Sequence, residues 1–388
     1  MGNALAQAGL DIDRVGPLRQ RLGLFFKAKQ LLYRELLHKR HMRDWEPQIL
    51  AGYRTQVLKA ISRLSPDVLF CPGNSLPAIA DVASSIPIVA WCDATFASLV
   101  NYYPAGGPGD VHAPGFCNLS SEALSHGMEG EGTAMRKCAL LVFTSTWAAE
   151  SAVDCYGVDP ARIRIVPFGA NLPQEVSPEQ ASQIVTARPG DGCRLLFLGG
   201  EWGRKGGPMA VRVAAELNQR GLRTELIVAG CNPPGPLPPF VRVLGFISKA
   251  APEGEQAIAE LLATSHFLIL PSRADCTPIT ISEAGSRALP VLARSTGGIP
   301  DVLRDQENGM LFPVEATVED WAVRALECLS DRQAYEALAT STFQGYRQRL
   351  NWKRNGELAA GYIRQLISGR LSGDPPSPSG LAAVDDVR

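Results

Sequence analysis

Two acidic residues in the second half of the chain have positions typical of ligand-binding groups. Asp275 and Glu283 follow the apolar run HFLILP, residues 266–271, with seven residues between them. Thr277 and Pro278 lie between the acids, and threonine followed by proline is typical of a helix start. We predict that this helix begins at the carboxyl edge of a parallel sheet, where backbone amides suit a diphosphate and both carboxylates accept hydrogen bonds from hydroxyl groups. The alternative is that Asp275 is a loop acid and Glu283 a solvated helix residue.

A basic pair lies in a glycine-rich loop of the same half. The segment LLFLGGEWGRKGG, residues 195–207, places Gly199 and Gly200 at the end of an apolar run, and Arg204 and Lys205 shortly before a predicted helix. Glycines permit close backbone approach, while the guanidinium and the ammonium suit a pyrophosphate. The alternative is a solvated basic turn. Because the loop is predicted at the same sheet edge as the acids, the two groups together indicate one anion-binding site.

The elements that would position these groups follow the pattern of parallel sheets. Short runs rich in Val, Ile, Leu and Phe alternate with helical stretches, which is typical of strands covered on both faces by crossover helices. The predicted strands fall in residues 67–73, 87–93, 140–145 and 162–169 of the first half, and in residues 194–200, 224–230, 241–246, 266–272, 290–295 and 309–313 of the second half. The pattern predicts an α/β protein with two doubly wound parallel sheets.

The chain length favours two domains. Its 388 residues exceed one ordinary core, and the polar segment 171–190 with three prolines indicates a linker. We predict domains over residues 1–172 and 173–350, a helix over 351–369 that returns toward the first domain, and a disordered tail over 370–388. The chain opens with MGNALAQAGLDIDRVGPL, which is typical of a helix. The first sheet is therefore expected to lack its opening strand.

Composition excludes several classes of protein. The chain has 38 Lys plus Arg against 39 Asp plus Glu, so no electrostatic signal indicates a nucleic-acid partner. Its nine cysteines are scattered singly, which argues against a disulfide framework or a zinc site. No apolar run reaches the length of a membrane span, and the first residues lack the order of a secretion signal. These features favour a cytoplasmic location.

Four motifs together resemble a known enzyme family. The RKGG loop (204–207), the VLGF turn (243–246), the Asp275 to Glu283 spacing and EAGSRALPVLARSTGGIPDVL (283–303) look like a family 4 glycosyltransferase of the GT-B fold. The resemblance covers about residues 160–315. It implies two facing Rossmann-like domains, with a nucleotide-sugar donor site in the second.

The resemblance implies a role for each motif residue. Arg204 and Lys205 would bind the donor diphosphate, Asp275 the donor-sugar hydroxyls and Glu283 the ribose. The further donor-binding positions that it implies are Gly199, Gly200, Phe246, Ile247, Cys276, Thr277, Pro278 and Ile279. Family members commonly carry glutamate at the position of Asp275 and arginine at that of Gly200, so we expect Arg204 to supply the guanidinium.

The resemblance also implies a reaction. The family generally retains the anomeric configuration, by a front-face displacement in which the departing diphosphate helps to deprotonate the acceptor. No protein nucleophile, obligatory metal ion or cofactor is then expected, because the nucleotide sugar is itself a substrate. Acceptors of the saccharide and lipid-linked classes both remain open.

The first half is expected to bind the acceptor. Asp93 ends the predicted strand 87–93 and could orient an acceptor hydroxyl, or be a local turn acid. Residues 19–43 contain eight Lys or Arg and the single acid Glu35, with Leu and Phe at helical spacing. This segment could contact an anionic membrane surface, or be a solvated helix whose apolar side lies in the core.

Other functions fit the same motifs. A different chemistry on this fold, such as sugar-nucleotide epimerisation or phosphorolysis, is one alternative. A non-catalytic sugar-nucleotide-binding protein is another, because the first half offers no clear catalytic group.

Overall fold

The computed structural model describes residues 1–20, 23–83, 85–103, 116–172 and 174–369. The chain forms two compact units. Unit 1 contains Met1–Val166 and the residues from Gly356 onward, and unit 2 contains Pro167–Asn355. The segment 370–388, for which a disordered tail is predicted, lies outside the described residues.

Unit 1 contains a four-stranded parallel sheet with strands in the order β1-β2-β3-β4. The strands are β1 Leu69–Pro72, β2 Ile88–Cys92, β3 Leu140–Phe143 and β4 Ile163–Ile165. The helices are α1 Gly2–Gln7, α2 Gly23–Leu36, α3 Pro47–Leu64, α4 Phe96–Leu99, α5 Ser121–Lys137 and α6 Thr146–Tyr156, with 3-10 turns at Gly73–Ala78 and Pro160–Arg162. In the described residues before Leu69 there are helices and no strand of this sheet.

Unit 2 contains a six-stranded parallel sheet with strands in the order β10-β9-β8-β5-β6-β7. The strands are β5 Cys193–Leu198, β6 Thr224–Ala229, β7 Val241–Gly245, β8 Phe267–Leu270, β9 Val291–Arg294 and β10 Gly309–Phe312. The helices are α7 Pro178–Ala187, α8 Gly207–Gln219, α9 Pro252–Thr264, α10 Ile279–Gly285, α11 Ile299–Val302, α12 Val318–Ser330 and α13 Arg332–Arg349. A last helix, α14 Trp352–Ile367, belongs to unit 2 up to Asn355 and to unit 1 from Gly356.

The alternation of side chains along β5 shows why this sheet is covered on both faces. Leu195 and Phe197 pack in a core cluster with α8 and α12, whereas Leu196 and Leu198 pack in a second cluster with α9 and α10. Successive strand residues point to opposite faces, so a strand buried on both sides must be apolar throughout. All ten predicted strand segments overlap an observed strand, and the α/β class with two parallel sheets is confirmed.

The segment 171–190, predicted as a polar linker, contains a helix. Helix α7 begins with a capping box, in which the Ser177 hydroxyl accepts from the amide of Gln180 and the Gln180 side chain accepts from the amide of Ser177. Its residues Ala181 and Val185 pack with Phe343 of α13. The polar composition and the three prolines of the segment predict a linker, but the capping box and this apolar stripe make a packed helix of unit 2.

None of the helices in the described part of the chain is long and apolar enough to cross a membrane.

A buried carboxyl group connects three elements of unit 1. Glu131 of α5 accepts hydrogen bonds from the Tyr156 hydroxyl at 2.7 Å and from the backbone amide of Phe96. Burial raises the pKa of Glu131 to about 7, although both hydrogen bonds act in the opposite direction. The protonated form is therefore favoured by the folded protein.

We expect this carboxyl to make unit 1 less stable as pH rises. The stabilisation by protonated Glu131 is complete below the ordinary pKa of 4.5 and is lost as pH rises through the folded pKa of about 7. The free energy of unfolding should fall by about 3 kcal/mol across this window. Hydrogen exchange of amides in α5 and β2 at several pH values measures the change. Glu131→Gln should flatten the profile, whereas the control Glu129→Gln, at an exposed position of the same helix, should leave it unchanged.

Candidate functional site

The strand order of unit 2 reverses between β5 and β8. From β5 the chain proceeds to β6 and β7 on one side, and from β8 to β9 and β10 on the other. The loops that leave the carboxyl ends of two such strands diverge and open a crevice, which is where open α/β sheets bind ligands. The glycine-rich loop follows β5 and the Asp275 loop follows β8. The two predicted motifs therefore lie at the same crevice.

The basic loop and the acid loop are joined by direct contacts. The Lys205 ammonium lies 2.8 Å from Oδ2 of Asp275, and an Arg204 guanidinium nitrogen lies 3.6 Å from Oδ1. The same guanidinium donates to the carbonyl of Ala274 at 2.8 Å and forms an ion pair with Glu201 at 2.6 Å. The side chains of Arg204, Lys205 and Asp275 are largely buried, whereas that of Glu201 is half exposed. Because charges interact more strongly away from water, the contacts within this trio are stronger than the same contacts would be at an exposed surface.

Two glycines allow this close packing. A Cβ atom at Gly199 would lie 2.4 Å from Cδ of Lys205, so the lysine stem passes directly over the glycine. Gly206 has a φ of +79°, and a Cβ atom there would lie 2.0 Å from the carbonyl oxygen of Pro271. The absence of a side chain at both positions lets the two loops approach each other.

Glu283 lies on α10, the helix that follows the Asp275 loop, and is fully buried. Its Oε1 forms an ion pair with the ammonium of Lys249, which follows β7. Burial raises the pKa of the Glu283 carboxyl, while Lys249 and the backbone amide of Asn171 lower it. Its Oε2 atom has no hydrogen-bond partner among the described residues.

This arrangement differs from an ordinary solvated acid. Native proteins rarely leave a buried polar atom without a partner, because the missing hydrogen bond costs about 1–3 kcal/mol. A ligand hydroxyl would supply the missing donor. The alternative that Glu283 is a solvated helix residue is therefore wrong.

The predicted start of the α10 helix is also wrong. The helix begins at Ile279 and has seven residues, with Pro278 as its N-cap and no side-chain capping bond. Pro278 has a ψ of 116°, which keeps it out of the helix, so Thr277 is a buried loop residue instead of the cap. Pro278 also has no amide hydrogen to donate. Because α10 is short, an anion at this crevice would be bound mainly by charged side chains and not by a helix dipole.

The other predicted donor residues differ in exposure. Cys276, Thr277 and Pro278 are buried, Ile279 and Gly199 are partly buried, and Gly200 is exposed at the crevice. Phe246 is 79% exposed after β7, while its neighbour Ile247 packs against the core. Asp93 is exposed at the end of β2 in unit 1. The structure thus brings Arg204, Lys205 and Asp275 together, and Asp93 belongs to the other unit.

Sequence reasoning missed three polar residues of the site. Lys249 pairs with Glu283, Glu201 pairs with Arg204, and the Ser272 hydroxyl lies 3.3 Å from Oδ2 of Asp275. Glu201 precedes Arg204 by three residues, a spacing that indicates an ion pair within one turn. Lys249 is 34 residues from its partner in sequence, so no local pattern indicates that contact.

Comparison with known proteins gives matches over both parts of the chain. Residues 192–331 match the family described as Glycosyl transferases group 1. A protein named D-inositol 3-phosphate glycosyltransferase from Acidothermus cellulolyticus is 28% identical over 339 residues, which are 79% of this chain and 71% of the relative. A protein of the same name from Saccharomonospora viridis is 25% identical over 253 residues, 62% of this chain and 58% of the relative. The chain thus spans less than two thirds of the second relative.

Solved structures share the fold at low identity. Sucrose-phosphate synthase from Thermosynechococcus elongatus has a TM-score of 0.62 and 16% identity, with 95% of this chain and 92% of that chain covered. The Anabaena protein Alr3699/HepE in complex with UDP and glucose has a TM-score of 0.55 and 18% identity, with 80% and 81% covered. Both likenesses concern the fold.

Proposed function

We propose that this chain, whose residues 192–331 match the family described as Glycosyl transferases group 1, is a glycosyltransferase that moves a sugar from a nucleotide-sugar donor to a saccharide or lipid-linked acceptor. The proposed transfer retains the anomeric configuration. The observation that carries this proposal is the convergence of Arg204, Lys205 and Asp275 at the crevice between β5 and β8. The Anabaena relative in fold is in complex with UDP and glucose, which supports a nucleotide-sugar donor.

The buried trio offers two cations to a diphosphate, which would compete with the half-exposed carboxylate of Glu201 for the Arg204 guanidinium. Two cations, Arg204 and Lys205, face one carboxylate, Asp275. A donor diphosphate would give the cations a second anionic partner. When the bond from the anomeric carbon to the diphosphate breaks, negative charge grows on the leaving oxygen. Cations already held in place by Asp275 and the Ala274 carbonyl would stabilise that charge without rearranging.

Asp275 would act on the donor sugar. Its carboxylate is held by Lys205 at 2.8 Å and by the Ser272 hydroxyl at 3.3 Å, so its position is set from two sides. A carboxylate has about four acceptor sites, which leaves capacity for sugar hydroxyls. One residue would thereby link the orientation of the sugar to the position of the phosphate-binding lysine.

Glu283 would accept the ribose hydroxyls of the donor. Its Oε2 is buried without a partner among the described residues, and the ammonium of Lys249 holds Oε1. Hydrogen bonds to a charged acceptor contribute about 1.5–3 kcal/mol each. Exposed Phe246 would border the nucleotide base, since it follows β7 three residues before Lys249.

The proposed reaction needs no protein nucleophile. The acceptor oxygen attacks the anomeric carbon on the face that the diphosphate leaves, the acceptor proton passes to the leaving phosphate oxygen, and the new bond has the configuration of the old one. No metal ion or cofactor is part of this proposal. Asp93 is proposed to orient the acceptor hydroxyl, because it is an exposed acid at the carboxyl end of a strand in unit 1.

A donor screen followed by product analysis tests the proposal. Thermal unfolding is measured with UDP, GDP, ADP and dTDP sugars, because a ligand that binds the folded state raises Tm by mass action. The donor found is then incubated with saccharides, lipid-linked saccharides and D-inositol 3-phosphate. Proton NMR of the product reports the anomeric configuration. An inverted anomer would refute retention.

The same experiment separates the alternatives. Donor binding without transfer or hydrolysis would favour the non-catalytic sugar-nucleotide-binding protein. Release of a free epimerised nucleotide sugar, or of a sugar phosphate in the presence of inorganic phosphate, would favour the other two chemistries.

A further inference from the structure

Helix α2 is attached to unit 1 through its polar side. The Lys29 ammonium lies 2.7 Å from a carboxylate oxygen of Glu46 and 2.7 Å from one of Glu122. The Tyr33 hydroxyl donates to Glu122 at 2.7 Å, and the Gln30 amide donates to the carbonyl of His41 at 3.0 Å. These groups belong to the N-cap of α3, to α5 and to the segment before α3, so three parts of unit 1 hold the polar side of the helix.

The opposite side of α2 is apolar and exposed. Leu24 is 83% exposed and Phe25 is 64% exposed, and three further leucines of the helix and one just after it are also exposed. They are Leu31, Leu32, Leu36 and Leu37. At 100° per residue, the five helical members span an arc of about 140°. Phe26 is the one fully buried large apolar side chain of α2.

The helix cannot bury these leucines by rolling over. Rotation toward the core would separate Lys29 from Glu46, which is almost fully buried, and would leave that carboxylate without its ammonium partner. Loss of the ammonium is destabilising, because the buried Glu46 carboxylate then keeps the His41 imidazole but loses the cation that it shares with Glu122. The alternative of a solvated helix with its apolar side in the core therefore does not hold for α2. By the same 100° spacing Glu35 also lies within this arc, where its carboxylate pairs with Arg34 at 2.8 Å. A largely apolar exposed surface of this kind indicates a binding surface.

The charges around this surface indicate what covers it. Lys27 and Arg34 are exposed along one border, and residues 19–43 contain eight Lys or Arg against the single acid Glu35. A second copy of the chain would bring an equal excess of positive charge to the contact. An anionic lipid surface supplies both an apolar layer for the leucines and negative headgroups for the basic residues.

We propose that the outer face of α2 docks on an anionic bilayer surface, with Leu24, Phe25, Leu31, Leu32 and Leu36 in the acyl boundary and Lys27 and Arg34 at the headgroups. This inference concerns unit 1 alone and does not depend on the proposed donor chemistry. A chain held at a bilayer would meet lipid-linked acceptors, one of the acceptor classes proposed above.

Co-sedimentation of the full chain with vesicles tests the docking. We expect binding to vesicles that contain phosphatidylglycerol and about tenfold weaker binding to pure phosphatidylcholine vesicles, because the basic residues contribute only on the anionic surface. The double variant Leu24→Ser, Phe25→Ser should bind anionic vesicles at least about tenfold more weakly, since two large side chains lose their apolar environment. The matched control is Val314→Ser, which changes an exposed apolar residue of unit 2 and should bind as the unaltered chain does.

Variants that reverse charge test separately whether the basic border of α2 contributes to vesicle binding. Lys27→Glu with Arg34→Glu should reduce binding to anionic vesicles at least about tenfold, because anionic headgroups then repel this border. Lys59→Glu with Arg63→Glu makes the same change in net charge at exposed positions of α3 and should have a much smaller effect. Equal loss in both pairs would mean a general charge effect and would overturn the proposal.

Further outcomes would also overturn it. These are absence of vesicle binding by the unaltered chain, unchanged binding by the Leu24, Phe25 variant, or a dimer in sedimentation velocity that this variant converts to a monomer. If the serine variant does not fold, Phe25→Trp offers a second measurement. The added emission, taken as the difference from the unaltered chain with its six tryptophans, should shift to the blue with anionic vesicles and be quenched by brominated lipid. An unshifted emission contradicts docking.

Discussion

Replacing Lys205 with alanine should lower kcat for sugar transfer by about 100- to 1,000-fold, because removing one preorganised group that stabilises developing charge has effects of this size. The Lys205 ammonium is largely buried and lies 2.8 Å from Asp275, so no flexible surface lysine can take its place. KM for the donor should rise less than kcat falls, since negative charge on the leaving diphosphate is greatest in the transition state. Initial rates with the donor identified by thermal shift measure both constants.

Two controls separate catalysis from folding. Lys205→Arg keeps the positive charge and should recover part of kcat, whereas a purely structural role of the lysine stem over Gly199 would show no preference for a cation. Lys353→Ala removes an exposed lysine of the same unit and should leave both constants unchanged. Full activity of Lys205→Ala would remove the basis of the proposed function.

Replacing Glu283 with glutamine should abolish most donor binding while leaving the unliganded fold nearly as stable. Glutamine keeps one acceptor oxygen but loses the negative charge and the second acceptor oxygen, which corresponds to an affinity decrease of about 10- to 100-fold. The unliganded protein loses little, because burial raises the pKa of this carboxyl and leaves its Oε2 without a partner. Lys249 is partly exposed and can reach water when its partner is neutral. Titration calorimetry with the nucleotide diphosphate measures affinity, and thermal unfolding without nucleotide measures stability.

The proposed ribose contact is tested by comparing the loss of nucleotide affinity with the loss of thermal stability. Glu253→Gln, an exposed acid in the first turn of α9, should change neither quantity. Unchanged nucleotide affinity in Glu283→Gln would exclude the proposed ribose contact. Parallel loss of affinity and of Tm would assign Glu283 to the stability of the α10 region instead.

The strands of the sheets could be predicted because a buried parallel strand is recognised from its own residues, without knowledge of which strands lie beside it. The runs FLIL (267–270) and LLFL (195–198) are apolar throughout, since both faces of each strand pack against helices. Helix boundaries were harder to predict. Thr277 and Pro278 carry the local signal of a helix start, yet the extended ψ of Pro278 moves the start to Ile279.

The orientation of α2 shows a second limit of prediction from sequence. Its leucines have the spacing of a core-facing stripe, and its lysines have the composition of a solvated side. The opposite arrangement arises because Glu46 and Glu122, distant in sequence, offer Lys29 two carboxylates on the inner side. A hydrophobic pattern shows which side of a helix is apolar, but it does not show whether that side faces the helix's own domain.

Residue types and their spacing were enough to predict the strand content, the two-sheet class and four charged candidates, Arg204, Lys205, Asp275 and Glu283. The three-dimensional packing was needed to show that β5 and β8 are neighbours at the reversal of strand order, that Lys205 contacts Asp275, and that Lys249 reaches Glu283. Those contacts join segments that are 34 or 70 residues apart. Their formation depends on how helices and strands pack in three dimensions, for which a local sequence pattern carries no information.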